Sequence, residues 1–329
     1  MKRQFSFLGM LQPLYVVVAS TIGIAAAKTL FMENWASPYW IKEPDGLVQV
    51  LVPDFMAFVF VVAILLAFLA IVFMPMWKLL FDLVKETISG LGYFNKLGNI
   101  AMLLLGALSF LLVMRVALNI SDSIRITPDG TISDELSLRL GVLIVCILVT
   151  ITPIPLISLL LFGRAYELTE KIPLLEGDEP RLFEIAYQLL RYRNLLQNSL
   201  LVIGIIVSAV PIVTALLRSA IIELDKTETV ATMWPMIYPI MYGLLFTTVL
   251  LLFYAPTHLM LTQAGQKLRD ELCPIHDLSD MDKNMKRRRD LDEWLQINLS
   301  LAQNLKAGII TLAPLITSFV TSIPGLKIF

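Results

Sequence analysis

Apolar blocks of about 18 or more residues recur along this chain, and the polar runs between them hold nearly all of its charge. They fall at residues 11–32, 53–76, 98–118, 139–162, 199–217, 233–256 and 307–324. A helix rises ~1.5 Å per residue, so about 20 residues cross a hydrocarbon layer of about 30 Å. The last block is short and contains Pro314, which leaves a re-entrant segment as its alternative. The chain is 57% hydrophobic and 16% charged, with a mean hydropathy of +0.75. Soluble domains run nearer 45–50% apolar and about 25% charged. The sequence therefore predicts an all-α polytopic membrane protein, a single helical membrane domain over residues 1–329 with about seven transmembrane helices. No small-residue cleavage site follows the first block, which reads as a retained helix.

Lysine and arginine set the expected orientation, because cytoplasmic loops retain them. With a cytoplasmic N-terminus, the outer side and its helix ends hold Lys28, Lys42, Arg115, Arg125, Arg139, Arg218, Lys226 and Lys327. The other 18 of the 26 basic residues then lie inside. The expected location is an integral protein of the plasma (inner) membrane. The first outer loop carries Trp35, Tyr39 and Trp40, residues suited to the headgroup level. Asn119 begins an N-x-S sequon on the same side.

The cytoplasmic loops, about 78–97, 164–198 and 257–306, show helical periodicity. Leu182, Ile185, Ala186, Leu189, Leu190 and Leu196 form one apolar stripe, and Leu261, Ala264, Leu268 and Leu272 form another. Such stripes need cover, so a compact helical layer is expected beneath the membrane. Each outside-to-inside span ends on an aromatic residue and an amphipathic tail. Phe73, Phe162 and Phe253 stand at similar intervals, which hints at a hairpin repeated three times.

Catalytic signatures are missing from the sequence. No HExxH, paired intramembrane aspartates, GxSxG, P-loop or dinucleotide fingerprint occurs, and an enzyme is not expected. No cofactor is implied. Cys273 and His276 stand as C-x-x-H, but no second Cys/His pair completes a zinc set, and no metal is expected. Cys146 and Cys273 lie at different levels, which argues against a disulfide. Charges are scarce inside the spans, which removes the usual carriers of ion-coupled transport. Prolines and hydroxyls are frequent there instead. Thr150, Thr152, Tyr238, Tyr242 and Thr247 are the candidate lining of a pathway between kinked helices.

The most polar run is "CPIHDLSDMDKNMKRRRD" from Cys273. Its basic cluster Lys286, Arg287, Arg288 and Arg289 lacks interleaved aromatics and is followed by Asp290, Asp292 and Glu293, so nucleic acid is not the expected partner. It is instead a candidate contact for anionic lipid headgroups or a cytoplasmic protein partner. Ser279 with Asp282 resembles a capping box that starts a docking helix.

Two functions fit this pattern. The first is a non-enzymatic channel or passive transporter acting as a homo-oligomer, because seven short-looped helices enclose little space of their own. The second is a membrane scaffold, signalling component or membrane-acting effector whose cytoplasmic helices bind a protein partner.

Overall fold

The computed structural model describes residues 18, 20–27, 40–43, 46–49, 53–90, 133–175, 177–224, 237–274, 281–297, 310 and 312–320. Apolar periodicity becomes helix throughout these segments. They are α1 (20–27), α2 (Pro53–Gly90), α3 (Ser133–Ile151), α4 (Pro153–Lys171), α5 (Glu179–Leu224), α6 (Ile237–Leu272), α7 (Met281–Trp294) and α8 (312–320). A single 3-10 turn, Ile172–Leu175, follows α4. The one departure from an all-helical fold among the described residues is a short antiparallel hairpin. It pairs Trp40–Glu43 with Gly46–Gln49.

Four stretches are long and apolar enough to cross a membrane: Met56–Glu86, Gly141–Leu175, Glu179–Ala220 and Ile240–Leu272. They correspond to the second, fourth, fifth and sixth apolar blocks. The third block, residues 98–118, and the sequon at Asn119 lie outside the described residues. So do most of the first block and part of the seventh, which contribute α1 and α8.

Length is the informative property of these helices. Helix α5 has 46 residues, α2 has 38 and α6 has 36. At ~1.5 Å per residue each is about 54 Å or longer, well beyond the ~30 Å hydrocarbon core. Proline punctuates them without ending them. Pro75, Pro211 and Pro256 all lie inside helices. Pro153 marks the α3–α4 break; Thr152 keeps helical angles there (φ −49°, ψ −43°), so the apolar run continues in nearly the same direction.

Helix α6 packs on α4 and α5, α2 closes against α4 and α5, and α3 lies on α2. Two large cores result. One joins Phe58, Val62, Leu65, Leu69, Leu143 and Ile206 within the apolar blocks. The other joins Leu83, Leu161, Leu168, Leu182, Leu189, Leu261, Leu268 and Leu295, nearly all in the amphipathic tails. The two predicted stripes, on α5 and α6, face each other in this second core. Close helix approach occurs at glycine: a side chain at Gly243 of α6 would run into Pro314 and Ser318 of α8, and one at Gly23 into Ala67 of α2.

Candidate functional site

The best-connected polar structure among the described residues is the hairpin formed by α6 and α7. Helix α6 stops where Pro274 would clash, with the Cys273 amide closing the last turn onto the Arg269 carbonyl at 2.9 Å. Helix α7 then runs back along α6. The Arg269 guanidinium bonds Asp292 at 3.1 Å, and Arg269 and Arg288 both bond Asp270 Oδ1 at 2.9 Å. The Arg288 Nε also donates to the Cys273 carbonyl at 3.0 Å. One member of the basic cluster is therefore used internally. Lys286, Arg287 and Arg289 are exposed, and none makes an ion pair among the described residues.

The return end of α7 is capped by backbone geometry that usually calls for glycine. The Ile297 amide bonds the Asp292 carbonyl at 2.8 Å and the Gln296 amide bonds the Glu293 carbonyl at 3.1 Å. That pair of bonds is a Schellman motif, with Gln296 in the left-handed conformation at φ +54°. The carbonyl of Gln296 accepts from Arg193 Nη1 of α5, whose Nη2 also donates to the Leu261 carbonyl of α6 at 3.2 Å. Arg193 is buried, at 4% exposure, and thus ties α5, α6 and the end of α7 together. Gly265 makes room for this: a Cβ there would sit 3.0 Å from Ile297 and 3.4 Å from Arg193.

Arg193 and Tyr192 precede the apolar block at 199–217, within the amphipathic part of α5. Tyr192 donates to Glu86 at 3.3 Å, and Arg191 pairs with the same carboxylate.

Beside the hairpin lies an exposed aromatic cluster. Trp294 meets Tyr187 edge-on at 5.8 Å between centroids and Phe183 at 6.3 Å. The three rings are 37%, 67% and 42% exposed. The stripe on α5 marked Leu182 and Ala186 as core, but the neighbouring rings were not singled out. Phe183 and Tyr187 at i and i+4 were the available signal.

Of the five pathway candidates, the structure describes four side chains, those of Thr150, Thr152, Tyr242 and Thr247. Thr150 and Thr152 donate to the carbonyls of Cys146 and Leu148, one turn back in their own helix, at 2.8 and 2.7 Å. Tyr242 stacks on Phe246 in α6. Thr247 is buried with no hydrogen-bond partner among the described residues. The Tyr238 side chain lies outside the described residues. A cavity of about 30 Å³ between α4, α5 and α6 is lined by Ile154, Ser158, Ser199, Ile203 and Tyr254 among others, and by none of the five. Ser199 is a second buried hydroxyl without a partner, whereas Ser158 bonds Thr257 at 3.0 Å and the Phe253 carbonyl at 2.7 Å.

His276 lies outside the described residues, and among those residues no three His, Cys, Asp or Glu side chains gather as metal ligands. No family model matches this chain, and no curated protein or solved structure matches it.

Proposed function

We propose that this is an integral membrane protein of about seven spans, with a cytoplasmic N-terminus, whose helical cytoplasmic layer receives a soluble protein partner. The observation that carries this reading is the second core. Anchoring a chain in a bilayer needs ~20 residues per helix. Here α2, α5 and α6 continue far beyond that and pack around one another and α4, with α7 folded onto them. A layer so ordered, with three exposed aromatic rings on its surface, has the form of a platform. The Lys/Arg distribution supports placing it in the cytoplasm. No catalytic or cofactor role is proposed.

A second reading, a non-enzymatic channel or passive transporter that acts as a homo-oligomer, is favoured by Ser199 and Thr247. Both are buried hydroxyls without a hydrogen-bond partner among the described residues, in α5 and α6. Leaving such a group unpaired costs about 1–3 kcal/mol, and a water or passing solute would satisfy it. Reconstitution separates the two. The platform reading predicts proteoliposomes no more permeable to small ions and neutral solutes than protein-free vesicles. Solute flux that persists after proteolysis of the cytoplasmic layer would overturn it.

A further inference from the structure

We infer that the outer part of α7, together with the Phe183–Tyr187–Trp294 cluster, is a docking surface for an acidic amphipathic helix of a soluble protein. This rests on the platform reading above and names the chemistry of its partner. Three observations converge on it.

The first is depth. Arg288 contacts the Cys273 carbonyl and Asp270, so the middle of α7 lies beside the far end of α6. From the end of the sixth apolar block at 256 to Cys273 is a rise of about 25 Å. The headgroup zone is only about 5–8 Å deep, and the Debye length at physiological salt is about 8 Å. Helix α7 runs back toward the membrane, because its other end meets Gly265 and Leu261. Lys286 and Arg287, which precede Arg288, therefore lie further out still. With the membrane boundary at the end of that block and α6 upright, the bilayer is too far away to be their counter-charge.

The second is the division of labour within the cluster. Arg288 is turned inward onto Asp270, while Lys286, Arg287 and Arg289 remain exposed and without an ion pair among the described residues. Asp292 is taken by Arg269, which leaves Asp290 and Glu293 as the exposed carboxylates on α7 against these three exposed cations.

The third is the neighbouring apolar anchor. Arg287 precedes Trp294 by seven residues, hence two turns along the same face of α7, about 10 Å away. Exposed tryptophan and tyrosine beside cations match the aromatic and arginine-rich composition of protein-binding hot spots. A helix with acidic residues on one side and Leu or Phe at i, i+3, i+4 and i+7 fits both halves of such a surface.

The test uses the full chain in phosphatidylcholine nanodiscs. The probe is a synthetic helical peptide with Glu on one face and Leu and Phe on the other, compared with its scrambled sequence. Vesicles of 70:30 phosphatidylcholine to phosphatidylserine are offered separately. The expected result is salt-sensitive binding of the patterned peptide, weakened about tenfold or more by Lys286→Gln/Arg287→Gln/Arg289→Gln and, independently, by Trp294→Ala. The three charge changes lie on exposed side chains, and an unchanged melting temperature confirms that the layer stays folded. Equal binding of the scrambled peptide, indifference to these changes, or preferential capture of the anionic vesicles would overturn the proposal. A photo-crosslinking residue in intact cells separates this failure from that of the platform reading. A soluble protein trapped at Leu174, exposed on the 3-10 turn after α4, but not at Arg287 overturns this surface and leaves the platform standing; no trapping at either position overturns both.

Discussion

Proline 153 has no amide hydrogen, so the carbonyl of Val149 one turn earlier loses its helical partner. In hydrocarbon that orphan is costly. The Trp77 indole of α2 donates to this carbonyl at 3.2 Å. Trp77→Phe should lower stability by about 0.5–1.5 kcal/mol in detergent melts. Adding Pro153→Ala, which restores the amide, should recover most of that loss; simple additivity of the two changes would contradict the assignment. The prolines and the need to satisfy freed carbonyls were legible in the sequence. The donor was not, because it comes from an indole on another helix, 72 residues away, rather than from a nearby hydroxyl. Gln296 was illegible for a similar reason. A Schellman cap is recognised by glycine, and this one has none. Gln296→Gly removes a left-handed side chain and a buried, unpartnered amide oxygen. It should therefore raise the unfolding free energy by about 1 kcal/mol, as seen in denaturant titration. A fall would mean that the side chain contributes a contact that outweighs both costs.

At the scale of elements, the amphipathic stripes predicted the continuation of the helices beyond the apolar blocks, and the α5 and α6 stripes do meet in one core. What spacing could not give is how α7 closes onto α6, since that depends on which of many surface charges pair. Arg269 and Asp292 are 20% and 13% exposed at the side chain, so their pair should be worth more than an open surface contact yet only about 1 kcal/mol. A double-mutant cycle with Arg269→Ala and Asp292→Ala, read by proteolysis of the α6–α7 connection, should show that coupling. Additive effects would place the closure elsewhere, on Arg193 and Arg288. A sharper disruption is expected at the contact between α6 and α8. Gly243→Val puts a branched side chain against the Pro314 carbonyl and Ser318, and overpacking of this kind costs about 1–3 kcal/mol. Thermal unfolding should fall accordingly, whereas Gly141→Val, where nothing lies within 4 Å, should change little.

For the whole molecule, apolar block length carried the helical architecture in advance. Block length predicts where helices of bilayer dimension occur, and four of the described helices have that character. Function was less legible, because the candidate pathway residues share only polarity and kinked helices. Folding satisfies Thr150 and Thr152 within their own helix and leaves them unconnected to Thr247. The surface with the most distinctive chemistry is instead assembled from α5 and α7, about a hundred residues apart in sequence. The proposed platform requires this surface to face the cytoplasm. Met285, exposed on α7, gives direct access to that question. Met285→Cys, with Cys146 and Cys273 replaced by alanine, should react with a membrane-impermeant maleimide in inverted vesicles and stay unlabelled in intact cells. Labelling from the outside of intact cells would contradict the orientation, and with it the platform.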